Sequence, residues 1–332
     1  MKVLLTKPFL ESDLNYIRKR LVNGIEIIIP EDYSAQTLTA KAEDADVLFG
    51  GMVTESILKS SKNLRFIQVP WTGVDNLDFE LLKKYNTIIA NSHSNAIIVA
   101  EHAVALMMDA SKRISYHDRL MRNGEWNRVS PNNKNELSPF SKLISGSKVA
   151  IIGYGAIGKN ICHLLKGFSC SFKVFNRSPK TDNSSNIKHF LINDLEAELK
   201  DVDFVFLSLP LTQESKDMVN AKFLAAMNEN AVLINVSRGE IVEEDSLFEA
   251  LRHRKIGFAA IDTWYNYPSK ETPNTFPSLR NNFHELDNVI LSPHRAGYVD
   301  SGLLHLDDAI ENLNRCKQGQ ELINIISLNN KY

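Results

Sequence analysis

The stretch Ser147-Lys-Val-Ala-Ile-Ile-Gly-Tyr-Gly-Ala-Ile-Gly-Lys159 constrains the fold more than any other part of the chain. The apolar run Val149 to Ile152 reads as a fully buried strand, and it stops at Gly153. Beyond the glycine the apolar spacing turns helical, through Ile157, Ile161, Leu164 and Leu165. Gly153, Gly155 and Gly158 therefore make a G-x-G-x-x-G pattern at a strand-to-helix junction. In such a junction the first glycine permits a tight turn and the second lets backbone approach a pyrophosphate. The third lets helix and strand pack closely. Free amides and the dipole at the helix N-terminus then favour phosphate. Alone, the pattern also fits an ordinary glycine-bearing turn; its context points to a dinucleotide site.

The rest of the chain repeats the strand–helix alternation. Val3–Leu5, Ile25–Ile29, Asp46–Phe49, Leu64–Val69 and Thr87–Ala90 read as strands, with helices starting near Ser12, Ser34, Thr54 and Asp78. Each start carries a residue able to cap a helix. Ala96–Ala110 is apolar around most of its circumference, the mark of a helix buried against more than one neighbour. Arg119 to Gly146 reads as polar loop. Lys148–Ile152, Ser171–Phe175, Phe204–Ser208, Ala231–Asn235, Phe258–Ile261 and Val289–Leu291 supply six further strands, enough for a dinucleotide-binding sheet. Residues 268–288 form a long loop, and a helix is expected from about Asp300 to Cys316. This alternation predicts open parallel sheets with helices on both faces. A length of 332 residues suggests about two such domains.

Composition removes several classes of partner. A formal charge of −2 and an apolar fraction of 43% offer no basic excess for nucleic acid or an anionic membrane. Cys162, Cys170 and Cys316 lack metal-ligand spacing, and an odd count does not suggest a disulfide framework. No metal is expected. The apolar run at the N-terminus is too short for a signal peptide and is interrupted by Lys7 and Pro8. Ala96–Met108 contains Glu101 and His102 and is not a membrane span. A cytoplasmic protein is expected.

Several strand ends carry side chains suited to chemistry. Pro70-Trp-Thr-Gly-Val-Asp75 follows a strand, and Thr72 and Gly73 there offer backbone N–H groups to an anion; a plain turn is the alternative. Asn95, at the mouth of the apolar helix, is a substrate-contact candidate, whereas His93 and His102 read as structural. Arg238 ends one strand in Asn235-Val-Ser-Arg-Gly239, Asp262 ends the next, and His294 follows a third in Ser292-Pro-His294. An arginine fork binds both oxygens of a carboxylate, and histidine transfers protons near neutral pH. Singly, Arg238 also fits a surface ion pair and His294 a capping or core residue. On the edge that should carry a nucleotide, together they favour catalysis.

From about Gln68 to Gly297 the chain resembles the D-isomer-specific 2-hydroxyacid dehydrogenases. The shared segments are Gly73-Val-Asp75, Val99-Ala-Glu-His102, Gly153-Tyr-Gly-Ala-Ile-Gly158, Ser208-Leu-Pro210 with Thr212, Asn235-Val-Ser-Arg-Gly239, and Ser292-Pro-His294 with Ala296-Gly297. The resemblance implies two doubly wound parallel-sheet α/β domains, Rossmann-like and flavodoxin-like, with a cleft between them. Residues 1–98 and 297–332 would form a discontinuous substrate-binding domain, and residues 99–296 the dinucleotide-binding domain. It also implies a homodimer through the helix that begins near Ala96.

The same resemblance assigns roles. Arg238 would hold a 2-oxo acid and polarise its carbonyl, His294 would protonate the alkoxide, and the backbone at Thr72 and Gly73 would hold the substrate carboxylate. Cofactor contacts would come from Gly153, Gly155, Ala156, Ile157, Gly158, Leu209, Pro210, Thr212, Val236, Ser237, Arg238, Asp262, His294, Ala296 and Gly297. Two positions depart from the pattern. The family carries a glutamate before a proline shortly after the aspartate, and here Tyr267 precedes Pro268. Tyr267 is therefore the candidate partner of His294, with Glu271 or Glu285 as alternatives from the long loop. The aspartate that usually binds a ribose 2′-hydroxyl is replaced by Asn176, followed by Arg177 and Ser178, with Lys180 nearby. The expectation is an NADP(H)-preferring reductase of a small 2-oxo acid, of the glyoxylate or hydroxypyruvate class, with NAD(H) also accepted. The rival readings are a formate-dehydrogenase-like oxidation and a weakly catalytic nucleotide sensor resembling the family's corepressors.

Overall fold

Alternate residues of a strand point to opposite faces, so a strand covered on both faces must be apolar throughout. The computed structural model, which describes residues 1–126, 141–178, 185–300 and 303–329, realises this in two sheets. The chain divides into two compact units, Met1–Asn95 with Val299–Tyr332, and Ala96–Tyr298.

In the first unit the elements are β1 (Lys2–Leu5), α1 (Glu11–Arg18), β2 (Glu26–Ile28), α2 (Ala35–Ala42), β3 (Val47–Phe49), α3 (Glu55–Ser60), β4 (Phe66–Gln68), α4 (Phe79–Lys84) and β5 (Ile89–Ala90). The second unit contains α5 (Ala96–Lys112), α6 (Ile114–Arg122), β6 (Lys148–Ile152), α7 (Ala156–Leu164), β7 (Ser171–Asn176), β8 (Ile187–Leu191), α8 (Leu195–Glu198), β9 (Phe204–Leu207), α9 (Ala221–Ala226), β10 (Val232–Asn235), α10 (Glu244–Arg252), β11 (Phe258–Ile261) and β12 (Val289–Leu291). The last helix, α11 (Asp307–Gln318), returns to the first unit.

The first sheet is parallel in the order β2-β1-β3-β4-β5. Leu4, Leu48 and Ile67 face one helical layer with Leu38 and Ile57; Val3, Leu5 and Phe49 face the other with Ile17, Ile310 and Leu313. Ser34, Thr54 and Asp78 cap α2, α3 and α4 through their side chains, as their residue types predict. At α1 the expected cap is displaced. The helix starts before Ser12, and the Asp13 carboxylate reaches back to accept a hydrogen bond from Leu10 N at 3.1 Å.

The second sheet runs β12-β11-β10-β9-β6-β7-β8, again all parallel. Val149 and Ile151 join the layer of α5 and α7, while Ala150 and Ile152 join the opposite layer with Phe223, Leu247 and Phe283. Strand order reverses between β6 and β9, which is where ligands of open α/β sheets bind.

Three local expectations are revised. β8 adds an edge strand that Lys188 and His189 had disguised as polar sequence. The segment taken as loop from Arg119 is helical to Arg122, and the C-terminal helix starts at Asp307 rather than Asp300. Helix α5 packs on α7, β10, β11 and β12 of its own unit and exposes Glu101, Ala105 and Lys112. Cys162, Cys170 and Cys316 are buried, and among the described residues none forms a disulfide. No described helix is long and apolar enough to cross a membrane.

Candidate active site

Gly153 leaves β6 at φ +96°, a conformation that glycine adopts without strain. A Cβ there would lie 2.6 Å from the Ser208 carbonyl oxygen, and one at Gly158 would lie 2.5 Å from that of Gly153. The Ser208 hydroxyl ties the two loops together by donating to Gly153 O at 2.8 Å. At Gly155, by contrast, a Cβ would meet nothing within 4 Å. The first and third glycines are thus fixed by packing, while the second faces open space at the start of α7. Ala156 and Ile157 form the first turn of that helix.

Asn176 closes β7 beside this turn. Its Oδ1 accepts a hydrogen bond from Tyr154 N at 3.1 Å, and its Nδ2 is buried without a partner among the described residues. Arg177 and Ser178 follow it and are exposed. Lys180 lies outside the described residues. Across the switch point, Leu209 and Ser237 are joined twice: Leu209 N donates to Ser237 Oγ at 3.0 Å, and that hydroxyl donates to Leu209 O at 2.7 Å. Pro210 O accepts from the Ser215 hydroxyl, which also receives Thr212 N, both at 2.8 Å.

Arg238 sits on a turn shaped by Asn235. Asn235 Oδ1 accepts from Ser237 N, and its Nδ2 donates to Arg238 O, each at 3.0 Å. A side chain at Gly239 would collide with the Trp264 carbonyl, so the arginine turn packs directly on the turn after β11. Val236 is buried beside it.

Asp262, at the end of β11, is 1% exposed and fully engaged. It accepts the Ser292 hydroxyl at 2.5 Å and the amides of Arg295 and Ala296 at 3.0 Å each. His102 Nε2 lies 2.9 Å from Ser292 Oγ and 3.6 Å from the carboxylate. Burial pushes the Asp262 pKa up, but these hydrogen bonds outweigh it and hold the value down at about 2. The carboxylate grips the backbone directly after His294, whose own φ is +52°. Sequence reasoning placed His102 as structural and passed over Ser292, yet both belong to this support. The Ser-Pro-His run was the available signal.

Tyr267 meets His294 ring to ring, with centroids 5.4 Å apart. Its hydroxyl oxygen accepts Trp264 N at 3.0 Å, and burial raises the phenol pKa. Trp264 in turn donates its indole N–H to Ser292 O at 2.8 Å. Glu271 is held by the Ser269 hydroxyl and Glu285 by the Asn282 amide, at 2.9 and 3.0 Å. Both partners are loop neighbours rather than His294. Gly297 follows Ala296 and is partly buried. Among the described residues no cluster of His, Cys, Asp or Glu could hold a metal ion.

In the first unit, the Thr72 hydroxyl lies 2.9 Å from Ser92 O and 3.0 Å from Asn95 Oδ1, and Asn91 Nδ2 donates to Thr72 O at 2.7 Å. The Thr72–Gly73 turn is thereby fastened to the segment leading to Asn95. His93 donates its backbone N–H to Asp308, and burial lowers its imidazole pKa, in keeping with a structural role.

Two doubly wound parallel sheets, one bearing a glycine cradle at its switch point, define a nucleotide-binding α/β protein. Residues 104–296 match the family described as D-isomer specific 2-hydroxyacid dehydrogenase, NAD binding domain. The chain belongs to the D-isomer-specific 2-hydroxyacid dehydrogenase family. It is 26% identical over 336 residues to the D-3-phosphoglycerate dehydrogenase of Methanocaldococcus jannaschii, covering 99% of this chain and 60% of that protein. The chain thus spans less than two thirds of that relative's length. It is 28% identical over 305 residues to the glyoxylate reductase of Pyrococcus furiosus, covering 88% of this chain and 85% of the relative. The same fold is seen in a D-isomer specific 2-hydroxyacid dehydrogenase of Xanthobacter autotrophicus Py2, solved with NADPH and MES (TM-score 0.80, 20% identity, 100% of this chain and 99% of the other).

Proposed function

We propose that the protein is an NADPH-preferring reductase of small 2-oxo acids, of the glyoxylate or hydroxypyruvate class. The observation that carries the reading is a shared edge. The carboxyl ends of β6, β10 and β12 carry the glycine cradle, Arg238 and His294 in one sheet.

The cradle fits a dinucleotide: Gly155 leaves space before α7, and the buried Nδ2 of Asn176 offers an unused donor beside it. When bound, the reduced nicotinamide supplies a hydride to C2 of the acid. Arg238 holds the 2-oxo acid and draws electron density towards its carbonyl oxygen. His294, protonated, delivers its proton to that oxygen as the C=O π pair becomes an O–H bond. Asp262, through the amides of Arg295 and Ala296, fixes the backbone that carries the imidazole. Thr72 and Gly73 supply backbone N–H donors for the substrate carboxylate, with Asn95 fastened to the same turn.

The preference for NADPH rests on Asn176. An aspartate there would repel a 2′-phosphate; the amide removes that charge, and exposed Arg177 and Ser178 offer donors. We also assign the protein to the cytoplasm and to a homodimeric state. Ile114, Met121 and Trp126, which are 60, 45 and 78% exposed just beyond α5, support the dimer. The test of function is NADPH oxidation with glyoxylate and hydroxypyruvate. Turnover supports the reading, and nucleotide binding without turnover would favour a sensor.

A further inference from the structure

The first sheet has its own switch point, between β1 and β3, because β2 and β3 lie on opposite sides of β1. Ligands of open α/β sheets gather at such a point, outside the carboxyl ends of the strands. A cavity of about 270 Å³ lies there, lined by Lys7, Phe9, Asp13, Pro70, Trp71 and His305 among others. Lys7 lies two residues beyond the end of β1, and Trp71 belongs to the loop after β4, next to Thr72.

The chemistry of the lining is uneven. The Lys7 ammonium stands 4.3 Å from the Trp71 ring centroid and 5.5 Å from that of Phe9. Among the described residues no acceptor hydrogen-bonds it. The nearby Asp13 carboxylate is turned towards the start of α1, where it takes Leu10 N at 3.1 Å and the Ser12 hydroxyl at 3.4 Å. Burial lowers the pKa of Lys7, and burial likewise lowers that of His305, which faces the same ammonium. His305 therefore adds a neutral imidazole rather than a second cation. The Trp71 ring is fixed from behind, since a Cβ at Gly51 would come within 2.8 Å of it. A partly dehydrated ammonium on a rigid aromatic platform has donors left for an anion, and the apolar walls suit a carbon chain.

The geometry points to this cavity as a subsite for the far end of the substrate, selecting 2-oxo acids that carry a second anionic group, carboxylate or phosphate, to pair with Lys7. This rests on the reading that Thr72 and Gly73 hold the first carboxylate, because Trp71 joins the two places in sequence. Lys7 is a specificity residue in this scheme and takes no part in hydride or proton transfer.

The test is steady-state reduction by NADPH of pyruvate and 2-oxobutyrate against oxaloacetate, 2-oxoglutarate and 3-phosphohydroxypyruvate, in wild type, Lys7→Met and Lys7→Arg. We expect kcat/KM to be about tenfold or more higher for at least one acid with a distal anion, equivalent to about 1.4 kcal/mol. Lys7→Met should remove that advantage through KM, Lys7→Arg should keep most of it, and the acids without a distal anion should change far less. The carboxylate and phosphate arms identify which anion fits. Equal kcat/KM across the panel, or an equal loss on every acid in Lys7→Met, would overturn the assignment. Tryptophan fluorescence titrated with succinate and with inorganic phosphate reads the cavity without turnover. Saturable binding that Lys7→Met abolishes, in a protein that reduces no acid, would keep the subsite and refute the reductase. Absence of both binding and preference refutes the subsite.

Discussion

The rings of Tyr267 and His294 lie 5.4 Å apart, centroid to centroid, with their planes tilted by 52°. The phenol oxygen of the tyrosine accepts the Trp264 amide at 3.0 Å. Burial raises the phenol pKa, so Tyr267 stays neutral throughout the range in which a histidine titrates. His294 thus gains a packed neighbour from this position, but no countercharge.

That contact sets a pH signature. Reduction needs the protonated imidazole, so kcat/KM falls as pH rises through the histidine pKa. A carboxylate beside the ring favours the charged form and raises that pKa. Tyr267→Glu should therefore move the falling limb of the reductive profile to higher pH by about one unit. An unmoved limb, combined with a large loss of activity in Glu271→Gln or Glu285→Gln, would show that a loop carboxylate is the true partner.

Asn176→Asp should reverse the cofactor preference. The new carboxylate would accept from a ribose 2′-hydroxyl and repel a 2′-phosphate, changing the NADPH to NADH ratio of kcat/KM by about tenfold or more. It can still accept Tyr154 N, so the glycine turn should survive. A wild type that prefers NADH would contradict this account of Asn176.

Arg238→Lys keeps the charge and loses the planar fork. The expected loss in kcat/KM is on the order of 10²-fold. Near-normal turnover in the lysine variant would remove Arg238 as the substrate anchor.

Asp262 links the site to stability. Its folded-state pKa, about 2, lies below the ordinary carboxylate value. A depressed pKa contributes stability above the unfolded value, about 4, that is lost as pH falls towards 2; the amount is on the order of 2 kcal/mol. Asp262→Asn should lower Tm at neutral pH and flatten the fall of Tm between about pH 4 and pH 2. Other depressed carboxylates, such as Glu55 and Asp201, are common to both proteins and cancel in the comparison. An unchanged acid slope in the variant would show that the Ser292 and amide contacts carry little weight.

Both sheets were legible from local pattern, because buried parallel strands must be apolar on both faces and Ser34, Thr54 and Asp78 mark helix starts by their chemistry. The glycine turn was legible too, since Gly153 and Gly158 answer to close backbone approaches while Gly155 keeps open space at the start of α7. β8 was hidden because Lys188 and His189 stand on an edge strand that tolerates polar residues. The α1 cap was hidden because a carboxylate within the helix reaches backwards. Lys7 and Trp71 are distant in sequence and meet only through strand order. The Tyr267 hydroxyl meets the Trp264 amide where the turn at Gly239 packs on the turn after β11, a contact that no single segment encodes.

Hydride transfer from NADPH to a 2-oxo acid can be followed with an isotope. The protein is incubated with NADPH carrying deuterium at C4 of the nicotinamide and with glyoxylate or hydroxypyruvate, and the product is analysed by NMR. Deuterium is expected at C2 of the 2-hydroxy acid, the D-isomer where C2 is a stereocentre, with its rate of formation falling on the order of 10²-fold in Arg238→Lys. Tight NADPH binding with no deuterated acid from any 2-oxo acid supplied would contradict it.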